Sequence, residues 1–483
     1  MLEPTRIRFS ILWSLLGLGT TIAHAQRAAT MSPDVRRFVA HDAPVIALKG
    51  VRIIDGTGAA PRDDQTIVFT DGRISAIGAS VSIPAGATVL SLPGHTVTPG
   101  LVMLHEHLFY PTGRRTPGLF SYVSQNFSFP KLYLAFGATT IRTAGATAPY
   151  VDMSLKEAID AGKEAGPLIY LTSPFLDRPG YPIPHFNHIE SPEGGRRAVR
   201  YWAEEGIPWF KAYTFVTRAD LKAIIDEAHR LGGKVTAHLC SVTHSEAADL
   251  GIDMLEHALL TNSEFVAEKQ VDLCPGENRI YETYGTLDIS SAQVQAGIRK
   301  LVEKRIPVSS TLPIWETMMP DRMIPAGALE VLSPELRDDF LAIQKLFAAN
   351  RSSTFPAAFK AALEWERQFV RAGGILGAGT DPTGYGGTVA GYGNIRELEL
   401  LVEAGFTPLE TISIATRNGA RILGISDQVG TLEVGKRADA IVIRGDPATH
   451  IADMGKPVVV FRDGIGYDSV KLIAAVKGLV GRF

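Results

Sequence analysis

Pro99-Gly100-Leu101-Val102-Met103-Leu104-His105-Glu106-His107 is an apolar run that ends on two histidines one residue apart. A strand turns successive side chains to opposite faces, so His105 and His107 share a face and Glu106 points away. Two imidazoles on one strand end can share a metal ion, and imidazole is a natural ligand for zinc and related ions. Alone the pair is a weak signal, because surface or core histidines also fall at this spacing.

The chain on either side strengthens it. From about Thr96, short apolar runs alternate with helical patterns such as 218–231 and 292–304. The runs are 97–104, 139–143, 168–172, 209–213, 234–238, 253–257, 307–311 and 375–380. Eight strands with intervening helices predict an α/β chain, a (β/α)8 TIM-like barrel over 98–427. Lys211, His238, His257 and Asp381 each stand at the C-terminal end of one of these runs. Active sites of such barrels lie on that face. Residues 313–365 exceed what one barrel helix needs, and are read as an inserted helical lid or a structural elaboration.

Both flanks have a β rhythm. Short β-branched runs before residue 97 are separated by Asp55-Gly56, Asp71-Gly72 and Pro84-Ala85-Gly86. Strand-like runs return at 438–443 and 458–461. These ends, 26–97 and 428–470, predict one small composite β-sandwich domain, with 471–483 as a C-terminal tail.

The pattern resembles the amidohydrolase superfamily, in particular its binuclear, carboxylated-lysine members of the prolidase-like and imidazolonepropionase-related kind. The resemblance covers nearly the whole chain after residue 25. Thr416-Arg417-Asn418-Gly419-Ala420 and Gly430-Thr431-Leu432-Glu433-Val434-Gly435-Lys436-Arg437-Ala438-Asp439-Ala440 look like the family's return from barrel to sandwich. It implies that His105, His107 and Asp381 hold one divalent metal, and that His238 and His257 hold a second, with zinc the expected ion. Lys211, carboxylated on its amine, would bridge them. A plain ammonium between two cations would be repelled, whereas a carbamate is an anionic bidentate ligand. Asp381 would take a proton from the attacking water and pass it to the leaving amine. The implied reaction is cleavage of an amide bond in a small substrate: a dipeptide, an N-acyl amino acid or a cyclic amide. The alternatives are an esterase, lactonase or phosphotriesterase on the same site, or a metal-binding protein without activity.

Three residues are candidates for substrate contact. Arg142, near the end of the second strand, is placed to pair with a substrate carboxylate or with an internal acid. Tyr213, two residues past Lys211, is placed to hydrogen-bond a developing oxyanion. His185 follows the third strand, with His188 beside it, and either reaches substrate or is an ordinary loop histidine. His244 reads as a helix-surface residue. Tyr392 lies on a Gly-rich segment after Asp381 that could move over the site.

Composition limits the remaining choices. Of 483 residues 45% are hydrophobic, enough for a large core, and 48 basic against 51 acidic residues leave no excess to attract nucleic acid. Arg6 and Arg8, the apolar run Phe9 to Ile22, and Ala23-His24-Ala25 form a secretory signal peptide over 1–25. The run is too short for a membrane span. The expected location is therefore periplasmic or secreted, with no membrane segment after signal removal; a homo-oligomer is open. An exported location permits a disulfide between the only two cysteines, Cys240 and Cys274. The other reading is two small buried side chains.

Overall fold

A computed structural model describes residues 27–113, 121–180, 187–322, 324–383 and 386–482. The expected signal peptide and His185 lie outside the described residues. No helix among the described residues is long and apolar enough to cross a membrane.

The chain is an α/β protein with mixed sheets. A three-stranded parallel sheet holds Leu101–Glu106, Ala138–Thr143 and Leu168–Tyr170. A seven-stranded parallel sheet runs in the order Asn187–His188, Thr172–Asp177, Trp209–Ala212, Lys234–Ala237, Met254–Glu256, Val308–Ser310, Leu376–Ala378. The two sheets meet at both edges. Leu171 alone separates Leu168–Tyr170 from Thr172–Asp177, and Ala146 bridges Pro174. At the other edge the backbone N–H groups of Thr380 and Asp381 both donate to His105 O at 3.0 Å.

The strands are buried on both faces, hence their near-continuous apolar composition. The intervening helices are amphipathic. Arg218–Arg230 starts on Thr217, which forms a capping box with Asp220, and it buries Leu221, Ile224, Ile225 and Ala228. Ala292–Glu303 buries Val294, Ile298 and Leu301 at helical spacing. Each such aliphatic side chain contributes about 1.5–3 kcal/mol by leaving water.

The two chain ends share one nine-stranded sheet, which contains Val45–Ile53, Arg62–Thr70 and His95–Pro99 from the front and Ala440–Arg444, Pro457–Arg462 and Ile465–Asp468 from the back. The sheet bends over on itself. Phe69 and Phe461 stand on strands well separated in its order, yet their rings are 5.1 Å apart across a private apolar core.

Residues 313–365 are helical, through Leu312–Glu316, Ala326–Val331, Pro334–Ala349 and the start of Phe355–Arg371. The last of these leads into Leu376–Ala378 and fills the place of an ordinary intervening helix. The C-terminal residues are anchored: Ser333 N–H donates to Val480 O at 2.9 Å, and Gly481 N–H to Gln125 Oε1 at 2.9 Å.

Candidate metal centre

Six side chains from the C-terminal ends of the parallel strands gather in one place. His105 is the fifth residue of Leu101–Glu106, and His107 lies just beyond its end. Lys211 is in Trp209–Ala212, while His238 and His257 each follow a strand directly. All six are buried. His105, His107 and Asp381 present ligand atoms that lie within 4.8 Å of one another. His107 Nε2 is 3.1 Å from Asp381 Oδ1, and His105 Nε2 is 3.8 Å from Oδ2. The His257 ring stands 4.5 Å from His105 and 4.6 Å from His238, centroid to centroid.

Two of the six residues adopt left-handed backbone: His257 at φ 65° and Asp381 at φ 52°. This conformation is costly for residues with a Cβ and persists only where its surroundings enforce it. Bonds from His257 N–H to Ser309 O and from Asp381 N–H to His105 O, both at 3.0 Å, enforce it here. Gly379 permits the close approach: a Cβ there would lie 2.3 Å from the Cβ of His105.

The outer nitrogens are already committed. His105 Nδ1 is 2.8 Å from Glu256 Oε2, His107 Nδ1 is 3.1 Å from Gly145 O, and His257 Nδ1 is 2.8 Å from Thr311 Oγ1. Partners of this kind fix the ring orientation of metal-binding histidines. Thr383 Oγ1 donates to Asp381 Oδ1 at 2.7 Å.

The electrostatics suit a cation. Burial pushes His105 down to about 4 and His238 to about 3, and it holds His257 well below its usual value, so the imidazoles are neutral. Burial alone would raise Asp381, but His105 and His107 keep it well below the usual carboxylate range. Lys211 is pushed down to about 8 by burial, against the pull of Glu256. Its Nζ is buried without a hydrogen-bond partner, 3.7 Å from Glu256 Oε1. Neutral imidazoles, an ionised carboxylate and an amine that burial makes easier to deprotonate favour metal ligation and carbamate formation. The donor set fits a divalent ion.

Some of the remaining expectations hold and others are corrected. Arg142 is not a substrate contact: it is fully buried, and its Nη2 donates to Glu256 Oε1 at 2.6 Å. A guanidinium in that position needs an internal counter-charge, and Glu256 supplies it. His244 is buried, not on a helix surface. His188 is exposed in a short edge strand. Tyr392 packs against Phe136 at 4.5 Å, away from the ligands. Cys240 and Cys274 form a disulfide. Glu106 points away from the histidines, as alternation requires, and accepts bonds from Thr380 Oγ1 and Asn394 Nδ2.

Tyr213 lies at the cleft, its ring 4.5 Å from His238. The cleft over the ligands is walled by Phe109, Tyr122, Phe175 and Tyr213. Two further cavities lie away from these ligands. Sequence reading missed Glu256 and the aromatic wall. Glu256 was visible as a lone acid in an otherwise apolar strand, and Phe109 as the next residue in register after His105 and His107.

Known proteins resemble this chain in sequence and in fold. A family model described as the amidohydrolase family matches residues 355–465. An imidazolonepropionase of Mycolicibacterium smegmatis is 28% identical over 417 residues, covering 83% of this chain and 90% of its own length. A Xaa-Pro dipeptidase solved with methionine in its active site superposes with a TM-score of 0.66 at 21% identity, over 88% of this chain and all of its own. A bottromycin amidohydrolase superposes with a TM-score of 0.67 at 21% identity, over 90% of this chain and 91% of its own.

Proposed function

This chain belongs to the amidohydrolase superfamily and is a hydrolase acting on carbon–nitrogen bonds; on that premise we propose that it cleaves an amide bond of a small substrate at a binuclear metal site. One observation carries the reading: four histidines, an aspartate and a buried amine without a hydrogen-bond partner gather at the ends of parallel strands, five of the six lining one cleft and His238 packing against His257 beside it.

The two parallel sheets, joined at both edges, are read as one (β/α)8 barrel, with the bent nine-stranded sheet as a composite sandwich domain beside it. His105, His107 and Asp381 would hold one divalent ion, and His238 and His257 the other. Lys211, carboxylated, would serve both. Two divalent ions held there supply Lewis acidity to the attacking water and to the scissile carbonyl.

The protein groups have separate tasks. The bond from Thr383 aims the carboxylate of Asp381, leaving it to accept a proton from water and return it to the departing amine. Tyr213, at the cleft wall, is suited to donate to the carbonyl oxygen as charge develops. Burial keeps bulk water from the transfer. Export to an oxidising compartment is part of the same proposal, and the Cys240–Cys274 bridge supports it.

The test is elemental analysis of purified protein together with turnover of acylated amino acids, X-Pro dipeptides and cyclic amides. About two zinc or related ions per chain and turnover abolished by a chelator are expected. Metal-free protein that gains no turnover from added zinc or manganese would overturn the proposal.

A further inference from the structure

The histidine alternation continues past the ligands. His105, His107 and Phe109 occupy every second position, and the His107 and Phe109 rings are 4.5 Å apart. Tyr213 stands two positions after Lys211. Phe109 lies 4.6 Å from Tyr122 and 6.4 Å from Phe175, and Phe175 lies 5.1 Å from Tyr213. An unbroken chain of rings thus runs from His107 to His238 along one wall of the cleft.

The wall is rigid. Phe175 rests on Gly145, where a Cβ would come within 2.4 Å of the ring. The carbonyl of Gly145 is the group that orients His107. The wall also lacks a charge. Among the described residues lining the cleft, Lys211 and the histidines are the only cation-forming side chains, and they belong to the ligand set. Arg142 is committed to Glu256. A substrate carboxylate set against these rings would lose much of its water and, among the described residues, meet no counter-charge outside the ligand set, which is costly. A cationic group would sit beside a centre that itself binds cations.

We propose that Phe109, Tyr122, Phe175 and Tyr213 form a specificity box for an uncharged planar group, aromatic or heteroaromatic, attached to the scissile amide. The inference rests on the carbon–nitrogen hydrolase reading of the same site and narrows its substrates away from zwitterionic dipeptides. Rings packed edge to face accept a further ring in the same manner.

Binding and turnover test this separately. Calorimetry on the metal-loaded protein compares benzamide, acetamide and glycylproline. Benzamide is expected to bind roughly tenfold more tightly than either of the others. Phe109→Leu and Phe175→Leu should each shrink that preference to about threefold or less, with metal content unchanged. Tyr122→Leu, on the strand paired with that of Phe109, gives the same reading should either phenylalanine variant fail to fold. Equal binding, no binding of benzamide, or tighter binding of glycylproline overturns the box. Turnover reports on the other reading: a benzamide preference in a protein that hydrolyses no amide leaves the box standing and removes the reaction.

Discussion

His105 Nδ1 lies 2.8 Å from Glu256 Oε2, and the other oxygen of that carboxylate receives Arg142 Nη2 and Thr236 Oγ1. Burial alone would raise Glu256, but Arg142, Lys211 and His105 hold it well below the usual carboxylate range. One fully buried anion thus orients a candidate metal ligand and neutralises a fully buried guanidinium. Glu256→Gln should weaken metal binding about 10- to 100-fold, as loss of such a partner does. It should also destabilise the fold by about 3–5 kcal/mol, because Arg142 stays buried without a counter-charge. Chelator competition and denaturant unfolding measure the two effects. Unchanged metal affinity would reduce Glu256 to a packing role.

Lys211 should carry one carbon dioxide per chain when metal is bound. Carbamates form on the free amine, and burial brings Lys211 down to about 8. Below that pH the ammonium predominates and the reaction is slow. Reactivation of metal-stripped protein should therefore quicken as pH rises through about 8, and with added bicarbonate. Native mass spectrometry should show the adduct, and acid should remove it. Reactivation indifferent to bicarbonate would argue for an unmodified lysine.

Most of the strand runs, and the six polar residues at or just past their ends, were legible because buried parallel strands are apolar and each exception stands out, although 97–104 divides at Gly100 between two sheets and 168–172 divides at Leu171. Arg142 and Glu256 are both charged residues inside apolar strands; the sequence left Arg142 open between a substrate carboxylate and an internal acid, and the structure pairs it with Glu256. The disulfide was illegible for a different reason. Cys240 and Cys274 lie in irregular segments whose meeting depends on the path of 258–276, which has no period to read. His244 was misplaced because a helix-starting histidine usually faces solvent, whereas this one begins a short helix packed inside.

Asp381→Asn keeps the shape of the side chain but removes the charge and most of its basicity. Turnover should fall by about 10²–10⁴, the usual contribution of a positioned proton-transfer group. Metal content should fall less than turnover does, because His105 and His107 remain. Steady-state kinetics beside elemental analysis separates the two. Full activity in this variant would remove Asp381 from proton transfer.

Cys240 stands two residues past His238, and its bridge to Cys274 closes a sequence separation of 34 residues. A cross-link over that length restricts the unfolded chain by about 4 kcal/mol at room temperature. Replacing both cysteines with alanine should lower unfolding stability by about that amount. It should also weaken metal retention at His238 relative to His105. Chemical denaturation with and without reductant provides the check: reductant should destabilise the native protein and leave the double variant unaffected. Equal sensitivity in the two would show that the bridge does not constrain the fold.

Glu366 lies inside the fold, where Ser310 Oγ donates to its Oε2 at 2.9 Å, and burial raises it to about 8 despite that bond. Glu397, raised by burial and then by Glu366, shares the interior. An unfolded glutamate titrates near 4.5. Between those values the folded chain holds a proton that the unfolded chain has released. The resulting stability is complete below about 4.5 and is lost as pH rises toward about 8. Glu366→Gln has no proton to lose, so its stability should decline less over this range and exceed that of the native chain at pH 9 by on the order of 2 kcal/mol. Thermal unfolding of both proteins across pH 5 to 9 measures the difference in slope. Parallel curves would mean that Glu366 ionises in the folded chain as easily as in water.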